Sequence, residues 1–194
     1  ENVPGFVGSQ VHEILLRILE ESGYTVAEHL LCPSDLGLPN RRLRYYLVAS
    51  RQDDLGPLKP AGSSRPRRPL IDYLDPEPEP GLDVDPELAR RYARALHVVD
   101  ANDPEAVTSC FTSAYGRSRV KSGSYLTYSN GDGTHRLRRF SPREVLRLLG
   151  FPEDYRLPPD LRRDQAWRLV GNSLSLPPVR KVLATVPGLE DLDR

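Results

Sequence analysis

The chain has 194 residues, with 27 Lys+Arg against 27 Asp+Glu, 38% apolar residues, two Cys, four His and no Met. That length suits one domain, or one and a half, around a lean core. Zero net charge argues against a histone-like nucleic-acid arm but leaves room for a local basic patch. Two distant cysteines exclude a disulfide scaffold, and four scattered His speak against structural zinc, so no metal is expected. No run approaches the roughly 18 apolar residues of a membrane span, and no basic-then-apolar signal peptide is present. A reduced intracellular compartment is the default expectation.

Glu1-Asn2-Val3-Pro4-Gly5 opens on a strand end and a turn without a polar lead-in, so the chain is expected to begin in the middle of a fold. Val11, Ile14, Leu15, Ile18 and Leu19 form one apolar stripe, predicting a helix over 9–22 with Ser9 as N-cap and Gly23 as stop. Tyr24 to Cys32 and Arg44 to Ala49 read as strands around a Pro33-to-Asn40 loop, an α/β layer. Residues 51–86, rich in Pro, Gly, Ser, Asp and Arg, read as a loop or poorly ordered insertion with a short helix at Leu70 to Leu74. Asp85-Pro86 marks a helix start. Residues 98–139 read as irregular, with short β-like pieces. Ser141-Pro142-Arg143-Glu144 is a capping box opening a helix that Gly150-Phe151-Pro152 stops. A further helix is expected from near Arg162. A last one is expected from about Pro178 to Val186, opened by Gly171-Asn172-Ser173-Leu174.

Several residues could carry chemistry. A Glu ending a buried strand, as Glu1 would, can donate a proton if its pKa is raised; otherwise it is an ordinary carboxylate. Arg42 and Arg44 point to the same side of extended chain. There they can grip a phosphate, a carboxylate or a base oxygen, or simply form a basic sheet edge. Ser109-Cys110-Phe111-Thr112 with Tyr115-Gly116 suits stacking on a base that has left its stack, or packing of a small buried cysteine. Arg136, Arg138, Arg139, Arg143 and Arg147, with Arg117, Arg119 and Lys121 and interleaved Tyr115, Tyr125 and Tyr128, read as a nucleic-acid surface or a solvated face. Gly171-Asn172-Ser173 can offer backbone donors and an amide to a ligand, or merely cap a turn.

In this order the pieces resemble the cytosine-C5 methyltransferase family. Glu1-Asn2-Val3 matches its Glu-Asn-Val motif. Asn40 through Arg44 matches Gln-x-Arg-x-Arg, with Asn in place of Gln. Arg138 to Glu144, running on to Leu149-Gly150-Phe151-Pro152, matches the motif before the last, and Gly171-Asn172-Ser173-Leu174 the closing one. Cys110-Phe111-Thr112-x-x-Tyr115-Gly116 and Asn40 resemble the branch that methylates a cytosine in the anticodon loop of tRNA-aspartate. DNA methyltransferases share the four general motifs and stand as the alternative substrate class. A non-catalytic nucleic-acid-binding homologue is the alternative outside the enzymes.

The resemblance implies the C-terminal part of a Rossmann-like, S-adenosylmethionine-dependent α/β domain with an inserted small target-recognition region. Residues 1–50 would be the second half of the catalytic domain, 51–139 the variable and recognition region, and 140–194 helices returning to the catalytic domain. It implies that Glu1 supports the attack at the cytosine ring, that Arg42 lies near the reacting base and that Arg44 binds the base carbonyl. Asn172 and Ser173 would belong to the methyl-donor pocket. Asn2, Cys110, Phe111, Thr112, Tyr115 and Gly116 would face the substrate, in a cytoplasmic or also nuclear setting. The family's Pro-Cys nucleophile motif does not occur in these 194 residues: Cys32 precedes a proline and reads as a buried strand residue. Loss of half of a parallel sheet is then expected to leave an exposed sheet edge and exposed apolar helix faces, with poor solubility.

Overall fold

The structure, a computed structural model, describes residues 1–51, 55–59, 67–118, 120–129 and 135–193. Helix α1 (Gln10–Glu21) starts where Ser9 accepts the His12 N–H at 3.2 Å, and Gly23 at φ 74° ends the run beyond it. Strand β1 (Thr25–Leu31) pairs with β2 (Arg44–Ser50), Leu31 lying opposite Arg44. This pair is antiparallel. The connection between them holds only a 3-10 turn at Pro33–Leu36, and parallel neighbours need a longer crossover, usually a helix.

Three of the five stripe residues of α1 face solvent, while Leu15 and Leu19 are half-buried. Val11, Ile14 and Ile18 are 65%, 41% and 54% exposed, while His12 is the residue of α1 that is buried. A surface helix normally turns such a stripe inward, and exposed apolar surface of this kind favours association. Val11→Glu combined with Ile18→Glu should lower light scattering of the purified chain. The melting midpoint should hardly move, since exposed substitutions stay within about 0.5 kcal/mol. Unchanged scattering would locate the association elsewhere.

The middle of the chain is more ordered than its composition suggests. The expected insertion falls partly on 52–54 and 60–66, which lie outside the described residues. Beyond them Leu70 opens a 3-10 turn (Leu70–Tyr73), and Leu70 and Leu82 are fully buried. Helix α2 (Pro86–Arg91) is capped by Asp85, whose Oδ1 accepts the Glu87 and Leu88 N–H groups at 2.9 and 3.0 Å. The pieces read as irregular assemble into a sheet: β3 (His97–Asp100), β4 (Ser124–Ser129) and β5 (His135–Arg139), in that order. The β3 strand runs parallel and β5 antiparallel to β4.

Helix α3 (Pro142–Leu148) has the expected capping box. Ser141 Oγ accepts the Glu144 N–H at 3.1 Å and Glu144 Oε2 accepts the Ser141 N–H at 2.7 Å. Helices α4 (Arg163–Asn172) and α5 (Leu176–Leu183) follow. Gly171 and Asn172 form the last turn of α4 and Ser173 its C-cap, so this motif closes one helix instead of opening the next. Pro177 and Pro178 fall in the first turn of α5, where missing N–H groups cost nothing, which is why α5 starts earlier than expected. The main core joins Leu70, Leu82, Phe111, Tyr115, Leu126, Phe140, Leu148, Trp167 and Val170. Helix α5 packs on β2 and the Pro33–Leu36 turn.

Candidate functional site

The site forms where β2 begins. Asn2 and Tyr45 exchange backbone hydrogen bonds, each 2.8 Å, which sets Glu1 beside Arg44. The Arg44 Nε lies 2.9 Å from Glu1 Oε1, and both side chains keep an exposed portion. Arg44 and Arg42 each donate to the Cys110 Sγ, at 3.4 Å. Two guanidinia, one carboxylate and one thiol thus converge from three segments far apart in sequence. The shared side expected of Arg42 and Arg44 is what brings both to one sulfur. Beneath them lies Tyr46, 4% exposed. Its hydroxyl is pushed up to about 12 chiefly by burial, with Glu1 adding to the effect and Arg42 and Arg44 opposing it. It therefore stays neutral.

Arg42 has a different station from Arg44. It is 5% exposed. Its guanidinium donates to the carbonyls of Phe111 (2.9 Å), Gly171 (3.3 Å) and Ser173 (2.7 Å). It braces the Cys-Phe-Thr segment against the end of α4 from behind, and fixes both relative to β2. Asn40, fully buried, adds a second brace: its Nδ2 donates to Thr108 Oγ1 at 2.9 Å, and Thr108 bonds back to Pro39 through its amide and its hydroxyl. Cys32 is buried, as expected, and its sulfur accepts the Arg42 backbone N–H at 3.2 Å.

The other expected site residues divide. Asn172 is exposed at the end of α4, beside Ser173, whose hydroxyl donates to Leu169 O at 3.0 Å. Cys110 and Thr112 are half-buried at the mouth. Phe111 and Tyr115 are not at the mouth: they are 2% and 1% exposed and meet edge-to-face at 4.9 Å. Tyr115 donates to Ser124 O (2.6 Å) and accepts the Phe140 N–H (2.9 Å), so its polar end is spent within the core. Gly116 is there for space, since a Cβ would come within 2.6 Å of the Trp167 ring. These three residues support the mouth from below and present no ring face to a base.

The expected basic and tyrosine-rich surface is not one face. Arg138 is 4% exposed and paired with the fully buried Glu144. Arg139 lies over the Trp167 ring, 5.7 Å from its centroid. Arg143 and Arg147 both pair with Glu153, and Arg147 also with Asp75. Tyr125 is buried, and Tyr128 donates to Asp83. Arg117, Lys121 and Arg136 remain exposed, and Arg119 lies outside the described residues. Spacing alone could not show this, because the acids that pair with these cations come from other segments. Among the described residues no group of three or more His, Cys, Asp or Glu could hold a metal ion, and no helix is long and apolar enough to cross a membrane.

Sequence reasoning passed over His12, Glu28 and Tyr45, which meet behind the site. Tyr45 and His12 both bond to Glu28 Oε1, at 2.7 and 2.6 Å. Burial raises the Glu28 pKa, but these bonds and the nearby His12 and His29 lower it more, leaving it below the ordinary carboxylate value. A carboxyl whose folded pKa is depressed stabilises the fold above its unfolded pKa, and the gain is lost as pH falls through the folded value. Glu28→Gln should therefore lower the melting midpoint at pH 7, with the gap to wild type closing below about pH 4. A gap unchanged at pH 3 would contradict this.

The profile of the family described as C-5 cytosine-specific DNA methylase matches residues 1–187. The chain is 31% identical to a tRNA (cytosine(38)-C(5))-methyltransferase of Spodoptera frugiperda, over 94% of this chain and 64% of that protein. It is 25% identical to the Homo sapiens protein of the same name, over 94% of this chain and 68% of that one. The crystal structure of S. pombe Dnmt2 methyltransferase superposes with a TM-score of 0.78 at 27% identity, covering 90% of this chain and 61% of the other. The chain thus spans about two-thirds or less of the proteins it resembles. The Rossmann-like, mixed helix and sheet architecture and the order of the motifs agree with these matches: the chain belongs to the C-5 cytosine-specific DNA methylase family.

Proposed function

We propose that these residues form the base-facing part of a tRNA (cytosine(38)-C(5))-methyltransferase, with tRNA-aspartate as first substrate. The observation that carries this reading is the convergence of Glu1, Arg44 and Cys110 where β2 begins, braced through Arg42 to the Gly171–Ser173 turn. The Glu1–Arg44 pair matches a cytosine edge: a carboxyl group that accepts from the exocyclic amino group and, when protonated, donates to ring N3, and a guanidinium that donates to the carbonyl oxygen. Both groups keep exposed surface, so a base that leaves its stack can replace their mutual contact. Arg42, held by three carbonyls, fixes the Cys110-Phe111-Thr112 segment against the end of α4. Cys110 lies against both guanidinia. The names of the relatives favour tRNA, and Asn40 with the Cys110-to-Gly116 segment favours the same branch.

Family members draw the methyl group from S-adenosylmethionine. The exposed amide of Asn172, next to the turn that Arg42 fixes, suits the polar part of that donor, and Ser173 sets where the amide stands. That cofactor would supply the methyl carbon. This chain's residues orient the base and exclude movement of the turn.

No cysteine in these 194 residues follows a proline. The assay is therefore run on the protein that carries them together with such a cysteine, with the 194-residue chain as the inactive control. Methyl transfer to tRNA and to duplex DNA is measured side by side. Transfer to tRNA, lost in Arg44→Ala, is expected. Preference for DNA, or tight RNA binding without any transfer, sinks the proposal.

A further inference from the structure

The geometry points to His12, Glu28 and Tyr45 as positioning residues that latch the Glu1–Asn2 segment onto β2. The functional weight of the latch rests on reading Glu1 and Arg44 as the base-binding pair. The three residues come from α1, β1 and β2 and meet around one carboxylate oxygen. His12 is 7% exposed, and its hydrogen bonds fix its tautomer. The Gly8 N–H donates to Nδ1 at 3.2 Å, so Nδ1 accepts and the proton is on Nε2, which donates to Glu28 Oε1 at 2.6 Å. The Tyr45 hydroxyl donates to the same oxygen at 2.7 Å.

The cluster also grips the connection between Asn2 and α1. The Phe6 ring, in the 3-10 turn Pro4–Phe6, packs edge-on against His12 with centroids 5.3 Å apart, and lies 5.5 Å from Tyr45. The His12 and Tyr45 rings meet edge-to-face at 5.3 Å. Tyr45 therefore holds this segment twice: its backbone pairs with Asn2, and its side chain closes on Phe6, His12 and Glu28. Its side chain points to the opposite face of β2 from that of Arg44. The latch thus lies behind the Glu1–Arg44 pair and sets their separation without touching them.

A general packing role and a positioning role differ in reach. Loss of packing accelerates opening of the whole fold, whereas loss of a latch frees only what it held. Native-state hydrogen exchange by NMR on the 194-residue chain separates them. His12→Phe keeps the ring and removes both nitrogen contacts; Tyr45→Phe removes only the hydroxyl. In each, exchange of the Asn2 and Tyr45 amides and of the Arg44 Nε–H should rise about tenfold, the factor for one ordinary hydrogen bond. The amides of β3, β4 and β5 should be unchanged. His12→Gln, which keeps a donor for Glu28, should restore part of the protection. Equal acceleration everywhere, or none at Asn2 and Tyr45, overturns the latch. If acceleration is local but methyl transfer by the protein carrying this chain keeps its rate, the latch stands and the base-binding reading of Glu1 falls.

Discussion

Glu144→Ala is expected to cost the fold about 3–5 kcal/mol, the range for removing one partner of a buried ion pair. Glu144 is completely buried and Arg138 is 4% exposed. The carboxylate accepts both guanidinium nitrogens of Arg138 at 2.8 Å, the Ser141 N–H at 2.7 Å and the Asp75 N–H at 3.0 Å. Among the described residues, alanine would leave the guanidinium in the core with only the Arg139 carbonyl at 3.0 Å, and would undo the capping box as well. Against a typical total stability of about 5–15 kcal/mol, that is enough to unfold a marginal chain. The midpoint in urea should fall with the slope unchanged. Arg138→Met combined with Glu144→Leu should recover most of the loss, because the cost lies in the uncompensated charge more than in the missing pair. A loss below 1 kcal/mol for Glu144→Ala would mean that water reaches Arg138.

That pair shows where sequence reading stops. Features settled within four residues were legible: the Ser9, Asp85 and Ser141 caps, the Gly150 stop, and the common side of Arg42 and Arg44. Long-range partners were not. Arg42 reaches carbonyls 69 and 129 residues away, and nothing near it in sequence announces them. Arg138 looked like part of a solvent-facing cationic run because neighbours in sequence share its charge, while its counter-charge is on α3. Tyr115 looked like a stacking platform, yet its hydroxyl finds two backbone partners in the core, which is how a buried tyrosine is satisfied. Leu70 and Leu82 sit singly in Pro-rich surroundings, where no periodicity marks a core residue. The candidate site was legible only through the motifs that the chain shares with its family, since each motif alone also reads as an ordinary cap, edge or turn.

Gly171→Ala tests the joint on which the site depends. In the last turn of a helix this change ordinarily gains about 1 kcal/mol, because alanine is the better helix former. Here the sign should reverse. A Cβ on Gly171 would lie 2.3 Å from both the carbonyl carbon and oxygen of Thr112 and 2.4 Å from the Ser113 nitrogen. Those are main-chain atoms, and the chain there is already held by the Thr112 N–H to Ser122 O bond at 2.8 Å and by Arg42 on the Phe111 carbonyl. Relief requires α4 to back away from the Cys-Phe-Thr segment, which widens the gap that Arg42 spans between Phe111 O and Ser173 O. Overpacking commonly costs 1–3 kcal/mol, and with main-chain atoms as the obstacle about 3 kcal/mol is expected. Trp167, the single tryptophan, lies one turn earlier on α4 and donates to Phe140 O at 2.9 Å, so its emission reports the displacement. Gly5→Ala, where nothing lies within 4 Å of the added carbon, is the matched control and should leave the urea midpoint unchanged. If Gly171→Ala behaves like that control, the contact between α4 and the Cys-Phe-Thr segment is not close enough for Arg42 to act as its brace. A fall in midpoint with a red-shifted Trp167 emission would place the rigidity of the site in this one glycine-sized contact.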